Sequence, residues 1–268
     1  MKVLLLTGSH PRHFYLVNKL AELNIVSAHV IEKRGAFIPQ PPSNLEDVDR
    51  NNFIRHFADR DKAEHLHFKG NEKVKDSIPT LEVSLQELNA KETIEWVKNQ
   101  SFDLAISYGV HKLSDELLEV LPQHSWNIHG GLSPWYKGNT TLFWPFFMLR
   151  PNWAGMTIHR LSSRLDAGNI VHQSVPELEY GDGLHDVACK AVIRAAEDLK
   201  EILTTLPLNE VQYIPQKGNG KLWVGSDWFP QHLRFVYNTY NNDIVDQFLD
   251  GKLPRIYPPI ISAFKREE

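Results

Sequence analysis

The chain has 268 residues, of which 42% are hydrophobic, and this suits one large domain or a domain with a small appendage. Its formal net charge is −4 and it has no long basic run, so its composition does not favour a dedicated nucleic-acid binder. No apolar run approaches the roughly 20 residues that span a bilayer, and the single cysteine, Cys189, excludes an internal disulfide framework, so a cytoplasmic location is expected.

Strand and helix patterns alternate at the start of the chain. Residues 2–8 (KVLLLTG) form a compact apolar run typical of a buried parallel strand, residues 11–24 carry apolar side chains at helical spacing, and residues 26–33 (VSAHVIEK) indicate a second strand. This unit predicts an α/β sheet. From about residue 35 to residue 80 the chain is Pro-rich and then highly charged with helical spacing, so we interpret it as a mostly helical surface insertion.

The alternation continues beyond residue 100 and predicts further strands and helices of the same sheet. Strand patterns cover residues 102–110, 126–131, 154–162 and 168–177, and helix patterns cover residues 114–122 and 181–206. These elements predict a core domain over residues 1–205 with a mostly parallel sheet.

Residues 206–268 are predicted to form a small mixed C-terminal region. Two short strands are expected around a turn at 217–220 (KGNG), because Gly and Asn favour tight turns between extended segments. Two short helices are expected over residues 230–241 and 242–251, the second ended by a glycine.

The segment WNIHGG places two polar residues at the predicted end of a strand. Asn127 and His129 are two positions apart, so their side chains point to the same side of the sheet. Active sites of open α/β sheets lie at the carboxyl ends of the strands. Histidine exchanges protons near neutral pH, an asparagine amide can stabilise an oxyanion, and Asp166 in a later turn could orient the imidazole. The alternative is a structural histidine at a strand end.

Three motifs in sequence carry a resemblance to a known family. They are NIH at 127–129, GLSPWYKG at 131–138 and DAGNI at 166–170. Over roughly residues 1–205 the chain resembles the N10-formyltetrahydrofolate-dependent formyltransferases, which include methionyl-tRNA formyltransferase, glycinamide ribonucleotide transformylase and the sugar N-formyltransferases. The resemblance implies a Rossmann-like α/β core. GGLSP departs from the more usual SLLP loop, which we expect to alter local shape only.

The resemblance also implies a cofactor and a mechanism. An amine would attack the formyl carbon of N10-formyltetrahydrofolate, with Asn127 stabilising the oxyanion. His129 would take the amine proton, directly or through water, or would donate to the oxyanion when protonated, and Asp166 would hold His129 and assist proton transfer. The pterin would lie against Tyr108, Val110 and Leu113 and the backbone near Asp166. For Tyr108 and Val110, ordinary core packing is the alternative. No metal is expected.

The turn GSHPRHF lies between the first strand and the first helix and could bind a phosphate. A helix N-terminus offers backbone N–H groups to an anion, and histidine and arginine side chains add donors. The candidate substrate-binding residues are Gly8, Ser9, His10, Arg12 and Lys137. The turn does not match GxGxxG, so a dinucleotide site is not supported, and a solvated turn is the alternative.

The size of the C-terminal region directs the choice of acceptor. It is shorter and less basic than the barrel that the resemblance leads us to expect in a methionyl-tRNA enzyme, and the chain is longer than a glycinamide ribonucleotide transformylase. We therefore expect a nucleotide-linked amino sugar, such as a 4-amino-4,6-dideoxyhexose, used in surface polysaccharide (lipopolysaccharide, O-antigen) synthesis. Neither a nucleic acid nor a membrane is expected as a partner, and a homodimer is possible. The alternatives are methionyl-tRNA or glycinamide ribonucleotide as acceptor, or a non-catalytic folate- or nucleotide-binding module.

Overall fold

The structure, a computed structural model, describes residues 1–35, 38–74, 78–218 and 220–264. The strands are β1 Val3–Gly8, β2 Val26–Glu32, β3 Thr80–Val83, β4 Leu104–Tyr108, β5 His124–His129, β6 Tyr136–Gly138, β7 Met156–Arg160, β8 Ile170–Ser174 and β9 Lys221–Trp223. The α-helices are α1 Pro11–Ala21, α2 Asp47–His67, α3 Lys91–Lys98, α4 Asp115–Val120, α5 Trp144–Phe147, α6 Leu184–Thr205, α7 His232–Arg234 and α8 Ile244–Leu249. Short 3-10 helices cover Pro151–Trp153, Leu208–Glu210 and Gly225–Asp227, and a π-helix covers Phe235–Thr239.

The main sheet has seven strands in the order β3-β2-β1-β4-β5-β7-β8. The first five are parallel, and β7 and β8 are antiparallel to their neighbours. The predicted α/β fold with a mostly parallel sheet is therefore confirmed. The edge strand β3 was not predicted, because its four residues, TLEV, are too few and too polar to form a strand pattern.

Both faces of β1 are buried, which explains its continuous apolar run. Val3 and Leu5 pack in a cluster with α1 and α6, whereas Leu4 and Leu6 pack in a second cluster with residues of α3 and α4. Neighbouring residues of a strand point to opposite faces, so a strand covered by helices on both sides needs an apolar residue at every position.

Helix α2 lies where a helix was predicted, but the prediction of a surface insertion is wrong. It is the crossover between β2 and β3 and packs against α6 and α7. Phe53 and Ala63 are buried in two different apolar clusters, and His56 and Glu64 are buried as well. The helix is therefore part of the core, with an unusually polar buried face.

The C-terminal region packs onto the rest of the chain. The predicted hairpin around 217–220 is wrong: β9 pairs in parallel with β6, and Ile214 pairs with Ile170 of β8. Residue 219 of the expected turn lies outside the described residues. The two expected helices are present as α7, continued by the π-helix, and α8. One apolar cluster combines residues from both sides of residue 205, and the division there stays a prediction.

Candidate active site

The carboxyl end of β5 brings Asn127 and His129 to one face of the sheet, as their spacing predicts. Strand β4 runs parallel on one side of β5 and places Ser107 beside Asn127, while β7 runs antiparallel on the other side and places His159 opposite Asn127. Polar side chains from three neighbouring strands therefore meet at this point.

The hydrogen bonds of Asn127 define its orientation. Ser107 Oγ donates to Asn127 Oδ1 at 2.7 Å, and Asn127 Nδ2 lies 3.2 Å from His159 Nε2. Because His159 Nδ1 lies 2.9 Å from the Arg160 carbonyl and must donate to it, neutral His159 can only accept at Nε2. The amide nitrogen of Asn127 thus faces His159, and one of its two N–H groups is left for another acceptor.

His129 is buried and held by the loop that follows its strand. Its Nε2 lies 2.8 Å from the carbonyl oxygen of Tyr136, so this nitrogen carries a proton. Its Nδ1 lies 3.4 Å from Asp166 Oδ2. A side chain at Gly131 would clash, because its Cβ would lie 2.5 Å from the Tyr136 oxygen and 2.7 Å from His129 Nε2. The glycine pair after the strand therefore permits the contact that orients the imidazole.

Asp166 reaches the site from the turn between β7 and β8. Its backbone has φ 47°, in the left-handed region that Asp tolerates better than most residues. Its Oδ2 accepts the Gly138 N–H at 2.8 Å, and its own carbonyl accepts a hydrogen bond from Gln216 Nε2 at 2.8 Å. The structure thus brings together the three predicted catalytic residues, Asn127, His129 and Asp166.

The protonation states follow from burial and from the neighbouring charges. Burial lowers the pKa of His129 below its ordinary value, and the opposing effects of the Asp166 carboxylate and the Tyr136 carbonyl do not outweigh it. Burial works against ionisation of Asp166, but His159, His129 and the Gly138 N–H together hold its pKa below the ordinary value. At neutral pH, His129 is a neutral base beside an ionised carboxylate.

His159 is a site residue that the sequence reasoning missed. It is buried, bonds Asn127 and lies 3.6 Å from Asp166 Oδ1 through its Nε2. Its place in the site could be predicted only from the register of β7 against β5. Residues directly opposite each other in an antiparallel pair share a face, and His159 is opposite Asn127.

Two cavities meet at Asn127, His129 and Asp166. The larger has a volume of about 580 Å³ and the smaller about 80 Å³. Val110, Leu165 and Asp166 line both, whereas Asn127 lines the smaller cavity and His129 the larger. The three predicted catalytic residues therefore lie between two spaces that could hold two different molecules.

The predicted cofactor residues divide between these cavities. Val110 and Leu113 line the smaller one together with Leu118 and Leu161. Tyr108 lines the larger cavity instead, where it is buried with its ring edge against His13 at 4.8 Å between ring centres. A pterin in the smaller cavity would therefore contact Val110 and Leu113 but not Tyr108.

The predicted substrate residues divide as well. His10 and Arg12 line the larger cavity, whereas Gly8, Ser9 and Lys137 do not belong to its described lining. A Cβ at Gly8 would lie 2.6 Å from the His13 ring, and the Ser9 hydroxyl accepts the Arg34 N–H.

Lys137 lies on β6 opposite Leu222 of β9, whereas its neighbour Gly138 does line the larger cavity. The anion capacity of the α1 start is smaller than predicted, because the His10 N–H donates to His13 Nδ1 and Pro11 has no N–H.

Other charged residues of the larger cavity were not predicted. Arg34 and Arg60 join Arg12, so three arginines line it against two carboxylates, Glu64 and Asp166. Arg12 forms a 2.6 Å ion pair with Glu64. These residues are scattered over the sequence and only the fold brings them together.

Within the described ranges, no group of three or more His, Cys, Asp or Glu side chains could hold a metal ion. In the same part of the chain, no helix is both long and apolar enough to cross a bilayer.

Comparison with known proteins identifies the family. A family model described as formyl transferase matches residues 47–199, which is more than half of the chain. The chain belongs to the formyl transferase family. The resemblance noted in the sequence is thereby confirmed, and the matched range contains all three predicted catalytic residues of this formyl transferase.

Solved structures share the fold of this formyl transferase. The N-formyltransferase from Helicobacter canadensis in complex with folinic acid and dTDP-3-aminofucose is 16% identical, with a TM-score of 0.56 over 90% of this chain and 82% of that one. A sugar N-formyltransferase from a Shewanella species is 16% identical, with a TM-score of 0.55 over 85% and 78%. The phosphoribosylglycinamide formyltransferase from Anaplasma phagocytophilum is 16% identical, with a TM-score of 0.55 over 83% and 96%. At such identities the likeness establishes the fold alone.

Proposed function

We propose that this formyl transferase moves a formyl group from N10-formyltetrahydrofolate to the amine of a nucleotide-linked amino sugar. The observation that carries the proposal is the position of Asn127, His129 and Asp166 at the junction of two cavities. An enzyme that transfers a one-carbon unit between two bound molecules needs its catalytic atoms between them, because positioning supplies much of the rate.

The smaller cavity suits the folate. Val110, Leu113, Leu118 and Leu161 supply apolar surface for a flat ring, and Asn127 is one of several polar residues that line the rest of the cavity. The second N–H of the Asn127 amide can donate to the oxygen of a formyl group delivered there. The folate supplies the formyl carbon, and Asn127 stabilises the negative charge that develops on its oxygen.

The larger cavity suits an anionic acceptor. The pKa of His10 is lowered to about 3, first by burial and then by the positive charges of Arg12, Arg60 and Arg34. The charges of three arginines therefore converge on one wall of this cavity, where a diphosphate would be attracted. An amino sugar attached to that diphosphate could then extend toward Asp166.

The proton path follows from the two basic atoms at the junction. His129 Nδ1 and Asp166 Oδ2 lie 3.4 Å apart, so an amine placed beside them can donate a hydrogen bond to each. The amine nitrogen forms a bond to the formyl carbon and loses a proton to His129 Nδ1. Asp166 stabilises the imidazolium, the bond between the formyl carbon and N10 breaks, and His129 returns the proton to N10.

Relatives support this choice of acceptor, and the alternatives remain testable. The Helicobacter canadensis neighbour binds folinic acid and dTDP-3-aminofucose. Glycinamide ribonucleotide is a second candidate, because a phosphoribosylglycinamide formyltransferase shares the fold and its acceptor also carries an amine and a phosphate. Methionyl-tRNA is disfavoured by the net charge of −4. We place the enzyme in the cytoplasm, in the synthesis of surface polysaccharides such as O-antigen.

Formyl transfer assays test the proposal directly. The purified protein is given N10-formyltetrahydrofolate with a 4-amino-4,6-dideoxyhexose nucleotide, a 3-amino-sugar nucleotide, glycinamide ribonucleotide or methionyl-tRNA, each at two salt concentrations. We expect turnover of an amino sugar with a shallow salt dependence, because a diphosphate makes few phosphate contacts. If only glycinamide ribonucleotide or only the tRNA is formylated, that molecule is the acceptor and the amino sugar is not. Folate binding without any turnover would favour a binding module.

A further inference from the structure

Glu32 is a buried carboxylate at the carboxyl end of β2, and its side chain contacts other residues of the chain. It is 1% exposed. In dinucleotide-binding α/β folds, an acidic residue about 20 positions after the first strand–helix turn binds ribose hydroxyls. Here both carboxylate oxygens face one residue: Oε2 accepts the His111 backbone N–H at 2.8 Å, and Oε1 contacts His111 Nδ1. Glu32 is therefore committed to a protein partner and not to a ribose.

Arg34 closes a triangle with these two residues. Its Nε lies 3.7 Å from Glu32 Oε1, one terminal nitrogen lies 3.3 Å from His111 Nε2, and the other donates to the Gly109 carbonyl. Since His111 Nδ1 must donate to the carboxylate, its Nε2 is left to accept from Arg34. Ser9 holds Arg34 in turn, because its hydroxyl accepts the Arg34 backbone N–H at 2.9 Å. We call Glu32, Arg34 and His111 the clamp.

The clamp holds the segment between β4 and α4, which lies between the two cavities. Residues 109–113 connect β4 to α4 without regular secondary structure, so side-chain contacts must define their path. Val110 and Leu113, on either side of His111, line the smaller cavity. Gly109 at φ 70° lies against His13, since a Cβ there would be 2.3 Å from the imidazole. The position of the apolar wall thus depends on His111 being held.

We propose that Glu32 is a positioning residue for the folate, acting through His111 on the wall formed by Val110 and Leu113. This inference rests on the proposed function, because it assigns the smaller cavity to the folate. Glu32 lines neither cavity, so its loss should raise the KM for the folate more than the KM for the amino sugar, to which its neighbour Arg34 contributes, and should leave kcat nearly unchanged.

The substitution Glu32→Gln removes the clamp without changing the size of the side chain. The two His111 hydrogen bonds end on different carboxylate oxygens, and an amide has an oxygen at only one of these positions, so its N–H groups would face the other donor. If His111 moved its proton to Nε2, that N–H would face Arg34. Losing hydrogen bonds to a buried charge should raise the KM for the folate about tenfold or more.

A matched control lies at the end of the next strand. Glu82 on β3 pairs with Lys33, and its side chain is 54% exposed, so Glu82→Gln makes the same chemical change outside the clamp. His111→Ala is a second clamp variant, tolerated more easily because the His111 side chain is 45% exposed. It retains the backbone hydrogen bond to Glu32, and we expect a smaller rise in the same KM.

The experiment measures KM for each substrate, kcat, calorimetric binding of 5-formyltetrahydrofolate and amide hydrogen exchange of residues 110–113 in all four proteins. We expect weaker folate binding and faster exchange in Glu32→Gln and His111→Ala only. If Glu32→Gln does not fold, Glu32→Asp, which keeps the carboxylate but shortens its reach to His111, decides by the same readouts, because His111 itself lines the smaller cavity. A wild-type KM for the folate in the folded clamp variants overturns the clamp and leaves the proposed function standing. The opposite outcome is also distinguishable. If these variants bind the folate more weakly but the wild type formylates no amino sugar, the role of the clamp stands and the proposed acceptor is wrong.

Discussion

Lowering the pH from 7 to 5 should decrease the free energy of unfolding, because His29 is buried in its neutral form. This residue of β2 is 0% exposed, and its Nε2 lies 2.8 Å from Thr7 Oγ1. Because the Thr7 hydroxyl donates to the Gly8 carbonyl, it must accept from His29, so the neutral ring carries its proton on Nε2. His29 Nδ1 is buried without a hydrogen-bond partner in the described part of the chain, so a second proton there would be unsatisfied.

The size of the effect follows from the two pKa values of His29. Burial lowers its pKa in the folded chain from 6.5 to about 4. In the unfolded chain the pKa is ordinary, so between these values the unfolded state binds more protons and gains stability as the pH falls. The contribution of neutral His29 is fully present above about pH 6.5 and is lost progressively below it. From pH 7 to pH 5 the loss is about 2 kcal/mol from this residue.

Urea denaturation at the two pH values measures the effect in the wild type and in His29→Gln. Glutamine keeps a donor for Thr7 but does not titrate, so the decrease in unfolding free energy between pH 7 and pH 5 should be smaller by about 2 kcal/mol. The control is His65→Gln: this side chain is exposed on α2, and its pKa is raised by a hydrogen bond to the Asp61 backbone and by the Asp61 charge, so no flattening is expected. Equal pH dependence in the wild type and His29→Gln would refute the reasoning.

Three further predictions concern catalysis. Asn127→Ala and His129→Ala should each lower kcat by at least about a hundredfold in the formyl transfer assay while calorimetric folate binding is retained, because each removes a group that acts on the reacting atoms; near wild-type turnover would contradict their roles. Asp166→Asn should lower kcat and move the acid limb of the pH profile of kcat/KM to lower pH, because the Asp166 charge raises the pKa of His129; an unmoved limb would show that Asp166 does not act on His129. Arg12→Gln should raise the KM for the amino sugar more than it lowers kcat, since a remote anion contact stabilises ground and transition states alike; an unchanged KM would remove Arg12 from the site.

The parts of the fold that could be predicted are those in which local pattern and burial agree. The apolar run of β1 and the sequence NIH at the end of β5 each signal their own environment, and Asn127 and His129 need only the alternation of one strand. His159 could not be placed in the same way, because its position depends on the antiparallel register of β7 against β5, which is set by contacts between segments distant in sequence.

Helix α2 shows why a surface insertion was expected. Its buried face is largely polar, so its sequence lacks the apolar stripe of a core helix. Two of its buried polar groups have partners far along the chain: Arg234 donates to both carboxylate oxygens of Asp49, and Asn238 accepts from Asn52 at 2.7 Å. A charged pattern is normally a sign of solvent exposure. Here the partners that allow polar residues of α2 to be buried lie about 185 residues away in the sequence.

The C-terminal region also supports Asp166, the carboxylate predicted to act in catalysis, through two sets of contacts. Gln216 donates to the carbonyl oxygens of Asp166 and Gly168, both at 2.8 Å, and these contacts brace a turn whose left-handed φ costs a residue other than glycine of the order of 1 kcal/mol. Strand β9 pairs with β6, whose last residue, Gly138, donates its N–H to Asp166 Oδ2. The backbone and the carboxylate of Asp166 are therefore each held by contacts that depend on residues beyond 205, and the distance between Asp166 and His129 is set by both parts of the chain.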